Sequence, residues 1–183
     1  MKKKLYILAG ANGSGKSTVA KVLLPEDGIE YINPDDIAKE INPADLSVAR
    51  IQAGKEALKR VSDLLERGES FAIESTLSGV AYVKLLERAK QLGYETAIAY
   101  VFVDSPEVCI ARIATRVKTG GHFVPDEDVR RRYLRSKENF FKTYRELVDH
   151  WTLFCNSGTS LVLVADEVGV YDRQLLDHFT EGL

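Results

Sequence analysis

The sequence predicts an α/β fold, an open parallel five-stranded sheet with helices on both faces. Three observations predict it. Short apolar runs alternate with amphipathic segments along the whole chain, the pattern of strands joined by crossover helices. A glycine-rich turn, Gly10-Ala11-Asn12-Gly13-Ser14-Gly15-Lys16-Ser17, joins the first run to the first helical segment. The 183 residues, 45% hydrophobic and 28% charged, suit one domain with a real core.

The turn matches the phosphate-binding pattern of glycine, four variable residues, glycine, lysine and serine or threonine. An apolar strand at 5–9 precedes it and a helix from Thr18 follows, the context the motif requires. The expected class is therefore a P-loop NTPase three-layer sandwich, with 1–183 forming a single domain. Glycines at 10, 13 and 15 let successive backbone N–H groups form a nest for β- and γ-phosphates, assisted by the positive end of the helix. Residues Gly10, Ala11, Asn12, Gly13, Ser14, Gly15, Lys16, Ser17 and Thr18 are thus the expected ATP-binding set. Lys16 would reach the β/γ oxygens, and the Ser17 hydroxyl would be offered to Mg²⁺.

A second strand at 29–33 stops at Pro34, leaving Asp35 and Asp36 at its carboxyl end, the ligand edge of a parallel sheet. Asp36 is read as the cap of the helix that follows, and Asp35 as a carboxylate able to accept a hydroxyl proton. A helix is expected over 42–67, with Val48, Ile51, Leu58, Val61, Leu64 and Leu65 as its apolar stripe, ended by Gly68. The third strand, 70–76, brings Glu74, Ser75 and Thr76 to the same edge. A helix from Val80 closed by Gly93 and an apolar fourth strand over 96–103 continue the alternation.

The next helix begins at Asp104-Ser105-Pro106-Glu107, carries Arg112 and Arg116, and runs into Lys118-Thr119-Gly120-Gly121-His122-Phe123-Val124-Pro125. Glycines flanked by basic residues read as a small lid, roughly 117–132. Asp126 is the expected cap of a long helix whose buried face is Val129, Tyr133, Phe140, Tyr144 and Leu147. That face puts Arg132 and Asn139 on one flank and Arg131 nearly opposite the core, so Arg132 is the expected phosphate ligand beside Arg116. Closing guanidinium groups over the phosphates would exclude water and neutralise developing charge. Trp151 and Phe154 are read as packing residues, 160–165 as the fifth strand and 171–179 as the last helix. Asp166-Glu167-Val168-Gly169 mimics a GTPase switch, but no Asn-Lys-x-Asp motif reads guanine anywhere.

The bulk numbers exclude several classes. A net charge of −2 and a pI near 6.0 leave no excess of basic groups for nucleic acid. Cys109 and Cys155 lie far apart without partner ligands, so neither a zinc site nor a disulfide framework is expected, and a reducing cytoplasm fits. The apolar run after Lys2-Lys3-Lys4 is broken by the glycine-rich turn, so neither a signal peptide nor a membrane span is expected.

The ordered set Gly10 to Ser17, Asn33-Pro34-Asp35, Ile73-Glu74-Ser75-Thr76-Leu77, Arg116 before Gly120-Gly121-His122-Phe123-Val124-Pro125, and Arg130-Arg131-Arg132-Tyr133 resembles the zeta-toxin and UDP-N-acetylglucosamine kinase family of P-loop kinases, in its short stand-alone members. The resemblance implies transfer of the ATP γ-phosphoryl group to a hydroxyl of a UDP-amino sugar. It puts Asp35 in the slot of the general base and Lys16 and Arg116 in those of the phosphate-stabilising residues. Glu74 and Thr76 fall in its substrate-binding slots, and Asn33 and His122 complete the expected acceptor-binding set. The chain departs from the pattern at Leu58, where the toxins carry a glutamate, and at His122, where they carry an arginine. Other expectations are a kinase of another nucleoside or sugar, and a nucleotide-dependent binding module held by an antitoxin-like protein.

Overall fold

A computed structural model describes residues 2–24, 29–42, 45–121 and 123–183, apart from the side chains of 46, 47 and 50. β1 (Lys4–Ala9) is central: three of its residues are fully buried, and it pairs in parallel with β3 (Phe71–Ser75) on one side and β4 (Glu95–Phe102) on the other. β2 (Glu30–Ile32) lies outside β3, giving the order β2-β3-β1-β4-β5-β6. The chain leaves β1 between two strands that it reaches later by crossovers on opposite sides. Its carboxyl end is therefore the topological switch point, where such sheets open a crevice for ligands.

The expected five strands are six. β5 (His150–Cys155) extends the parallel sheet beside β4, from residues read in sequence as packing groups. Its entry is set by Asp149, whose carboxylate accepts from both the backbone N–H and the hydroxyl of Thr96, each at 2.8 Å. The run expected as the fifth parallel strand is β6 (Val162–Asp166), antiparallel at the edge. The physical reason is length: the residues between the two strands allow a hairpin return but not the crossover a parallel neighbour needs.

Helix ends differ from expectation in an instructive way. α1 (Lys16–Leu23) starts directly from the glycine-rich turn. α2 (Pro34–Ile41) is capped by Asn33, whose side chain accepts from the Asp35 N–H at 2.9 Å, with Pro34 at the first position. Asp36, expected as the cap, instead pairs with Lys39 at 2.7 Å. α3 (Leu46–Arg67) packs on α2 and the sheet through Ala49, Ala53, Ala57, Val61, Leu64 and Leu65. Of the expected stripe, Val48, Ile51 and Leu58 face solvent, 70%, 76% and 62% exposed. The alanine spine lets the backbones approach closely, and the larger residues were left outside.

α4 (Ala81–Gln91) and α5 (Pro106–Lys118) follow β3 and β4. α6 (Asp126–Asn139) has Pro125, not Asp126, at its cap position, and Asp126, Glu127 and Asp128 supply negative charge to its first turn. The helix continues through a π-helical turn, Phe140–Tyr144, into the short α7 (Arg145–Leu147). α8 (Arg173–Thr180) ends the fold, and its Phe179 packs against Tyr100, Phe102 and Phe140. No described helix is long and apolar enough to cross a membrane.

Candidate active site

The glycine-rich turn forms the nest its sequence predicts. Gly10, Gly13 and Gly15 have φ of 138°, 85° and 95°, which side-chain-bearing residues rarely adopt. At Gly15 the space is also taken, because a Cβ would stand 2.3 Å from the Asn156 amide nitrogen. That nitrogen donates to the Ser14 carbonyl at 2.8 Å, and the Arg112 guanidinium donates to the Asn156 carbonyl at 2.8 Å. The loop after β5 therefore braces the turn from behind. Ser14 Oγ is buried with no hydrogen-bond partner among the described residues. That hydroxyl lies behind the turn and lines neither cavity, so it is the left-handed nest at a helix N-terminus that fits an anionic phosphate group.

Lys16 is buried, its Nζ 3.0 Å from the Ala11 carbonyl and 3.7 Å from a Glu74 carboxylate oxygen. The other Glu74 oxygen accepts from Ser17 Oγ at 2.7 Å, from the Tyr31 hydroxyl and from Asn33 Nδ2 at 3.3 Å. Because the Ser17 proton is committed to Glu74, the hydroxyl lone pairs remain for a cation. Ser17 backed by a carboxylate is a donor set that suits Mg²⁺, a hard ion that takes few protein ligands. Burial, and then the Glu74 charge, push the Tyr31 hydroxyl well above its ordinary pKa, so it stays a donor. Tyr31 was missed in the sequence. Its signal was a hydroxyl two residues before Asn33 on a strand, which places both on one face.

Two cavities meet here. One, of about 280 Å³, lies over the turn and is lined by Gly13, Gly15, Ser17, Thr18, Arg112 and Arg116. The second, of about 320 Å³, lies between α2 and the loop after β3, with Asn33, Thr76, Tyr82 and Arg132 in its walls. Asn12, Lys16, Asp35 and Glu74 line both. Asp35, in the first turn of α2, thus stands at the boundary between the cavities. The structure brings together Lys16, Ser17, Asn33, Asp35, Glu74, Thr76, Arg116 and Arg132, while His122 lies outside the described residues.

The arginines are held differently. Arg132 Nη1 donates to Asn12 Oδ1 at 3.2 Å and its other nitrogen to Asp128 at 3.4 Å, which leans it over the turn, whereas Arg131 faces outward toward Asp128. Arg116 is exposed, and its carbonyl accepts from Gly121 at 2.9 Å while the Val117 carbonyl accepts from Gly120 at 3.0 Å. This is a Schellman stop to α5, with Gly120 at φ 83°. Gly121 is required by proximity, since a Cβ there would meet Arg116 Cγ at 2.3 Å.

The loop after β3 is pinned by the long helix. Tyr100 donates to Ser136, which donates to the Thr76 carbonyl, Asn139 Nδ2 to the Leu77 carbonyl at 2.8 Å, and the Tyr144 hydroxyl to the Gly79 carbonyl at 2.7 Å. Asn139 and Tyr144 are five residues apart, a separation that only a π turn puts on one face. Leu77 takes φ 49° within this grip. Thr76 and Ser78 pair their hydroxyls at 2.9 Å at the cavity wall.

Fold and site together define a P-loop kinase-like domain. The family model AAA_33, described as an AAA domain, matches residues 5–140, and the chain belongs to that family. An uncharacterised protein of Haemophilus influenzae is 36% identical over 134 residues, covering 73% of this chain and 94% of that protein. Among solved structures, a chain of the AvrRxo1-ORF1:AvrRxo1-ORF2 complex with sulphate ions superposes with a TM-score of 0.81 at 16% identity, over 98% of this chain. The chain spans 64% of that neighbour's length. The PezAT chromosomal toxin–antitoxin system of Streptococcus pneumoniae superposes at 0.71 with 18% identity, over 100% of this chain and 80% of that one. At such identities the likeness is one of fold.

Proposed function

We propose that the protein is an ATP-dependent phosphotransferase acting on the hydroxyl of a small-molecule acceptor. The observation that carries this reading is the shared wall: Lys16, Asp35 and Glu74 line both the cavity over the glycine-rich turn and the cavity beside it. The turn, with Thr18, would hold the ATP phosphates, and the Ser17 hydroxyl backed by Glu74 would hold Mg²⁺. When bound, that ion neutralises charge on the phosphate oxygens.

The acceptor would lie in the second cavity, against Asn33, Thr76 and Asp35. Asp35 takes the hydroxyl proton as the oxygen attacks the γ-phosphorus. The bond from that phosphorus to the β-bridging oxygen breaks, and ADP leaves with the electron pair. Lys16, Arg132 and Arg116 spread the charge of the transferring group, and the segment 117–132 acts as the lid that keeps water out. A UDP-amino sugar, the acceptor implied by the resemblance described above, is one member of the acceptor class to be tested.

The test is incubation with γ-labelled ATP, Mg²⁺ and a panel of nucleotide sugars, nucleosides, simple sugars and simple alcohols, with mass analysis of products. A phosphorylated acceptor is expected. ATP binding with no phosphorylated product from any acceptor would contradict the reading and favour a nucleotide-dependent binding module held by an antitoxin-like partner.

A further inference from the structure

We infer that the acceptor is an alcohol with an apolar body, and that this body lies in the groove between α3 and α4. The assignment rests on the kinase reading for what the hydroxyl does, and on the groove itself for the chemistry of the rest.

The groove measures about 460 Å³, larger than either cavity at the site, and is walled by Ala57, Leu58, Val61 and Leu65 of α3, Ile73 of β3 and Leu85 of α4. It adjoins the acceptor cavity, with Pro34, Ala81 and Tyr82 in the walls of both. Tyr82 marks the boundary, and burial raises the pKa of its hydroxyl. Past Pro34, Ala81 and Tyr82 the walls of the polar cavity therefore give way to hydrocarbon, where the body of a molecule with its hydroxyl beside Asp35 would lie.

The floor of the groove is hydrocarbon, and its two cations, the exposed Lys84 and Arg88, stand toward solvent. Its rim holds Arg88 and Ser62, which are bonded to each other at 3.4 Å, and Arg88 also pairs with Glu66. The cations of the site, Lys16, Arg112, Arg116 and Arg132, line the two cavities over and beside the turn and not this groove. The protein also leaves the groove unfilled: Leu58 is 62% exposed at its edge, and a Cβ on Gly54 would meet no atom within 4 Å. Apolar surface open to water beside a polar cavity is what an amphipathic small molecule would cover.

The experiment uses the full chain with ATP and Mg²⁺, and primary n-alkanols from ethanol to octanol as probes, with UDP-N-acetylglucosamine for comparison. Binding is read by titration calorimetry and transfer by mass analysis. Affinity is expected to rise at least about tenfold from ethanol to octanol, a modest fraction of full methylene burial. Gly54→Phe, which projects a ring into open space, should remove the gain, and Leu58→Glu at the exposed rim should reduce it. Both should leave ATP affinity and thermal unfolding unchanged.

An affinity that does not vary with chain length would overturn the inference, as would a gain that survives both substitutions. So would UDP-N-acetylglucosamine binding more tightly than octanol and indifferent to Gly54→Phe. Octanol held in the groove with no phosphorylated product from any acceptor would uphold the apolar site and overturn the kinase reading instead.

Discussion

Glu74 gathers the polar groups of the site on one carboxylate: a hydroxyl from α1, a phenol from β2, an amide from the cap of α2 and the ammonium of Lys16. A partly buried carboxylate is costly unless its lone pairs are used, so each donor helps hold the charge in place. Tyr31→Phe removes one donor and is expected to cost about 1–2 kcal/mol of stability in urea unfolding. ATP affinity should change little, because Tyr31 lines neither of the two cavities and the Ser17 bond to Glu74 remains.

Far from the site, His150 bridges Glu167 at Nδ1 and Glu95 at Nε2, each at 2.8 Å, and these bonds raise its pKa above the ordinary 6.5. A raised folded-state value means the clasp contributes fully below about pH 6.5 and is lost as pH rises through the folded pKa. The bond to His150 also lowers the pKa of Glu95, so its contribution fades only in acid, as pH falls through that lowered value. The melting-temperature difference between the native chain and His150→Gln should be largest near about pH 6 and shrink by about pH 9.

Two elements outside the glycine-rich turn set the working geometry of the site. The loop after β5 braces the turn through Asn156 and Arg112, so Asn156→Ala is expected to raise KM for ATP about tenfold, the value of one hydrogen bond to a buried carbonyl. The π turn aligns Asn139 with Tyr144 beneath the loop after β3. Tyr144→Phe should cost about 1 kcal/mol in stability and raise KM for the acceptor while leaving KM for ATP alone. A change in both constants would mean that the loop and the turn are not separate units.

Over the whole molecule, most of what could be read in the sequence was local. The strand–turn–helix unit, Glu74 at the end of β3 and the preference for Arg132 over Arg131 each follow from a spacing of a few residues, and the structure places all of them at one edge. What escaped depends on partners distant in sequence. β5 owes its place to Asp149 holding Thr96, 53 residues away, although its alternation of Trp151, Leu153 and Cys155 was visible. Tyr31 as a donor required knowing that β2 lies beside β3, whereas the Asn33 cap, a contact two residues long ahead of Pro34, was legible locally and was missed. The alanine face of α3 escaped because size, rather than hydrophobicity, decides which side packs closely. The groove beside α4 is the other side of that choice.

The central claim is that one carboxylate, at the boundary of two cavities, takes a proton from an alcohol in one as phosphate arrives from the other. The direct measurement is Asp35→Asn, with ATP affinity by titration and transfer to whichever acceptor the panel yields. ATP affinity is expected to stay within about twofold while turnover falls at least about a hundredfold. Turnover retained at the native rate, with ATP bound as tightly, would contradict the account.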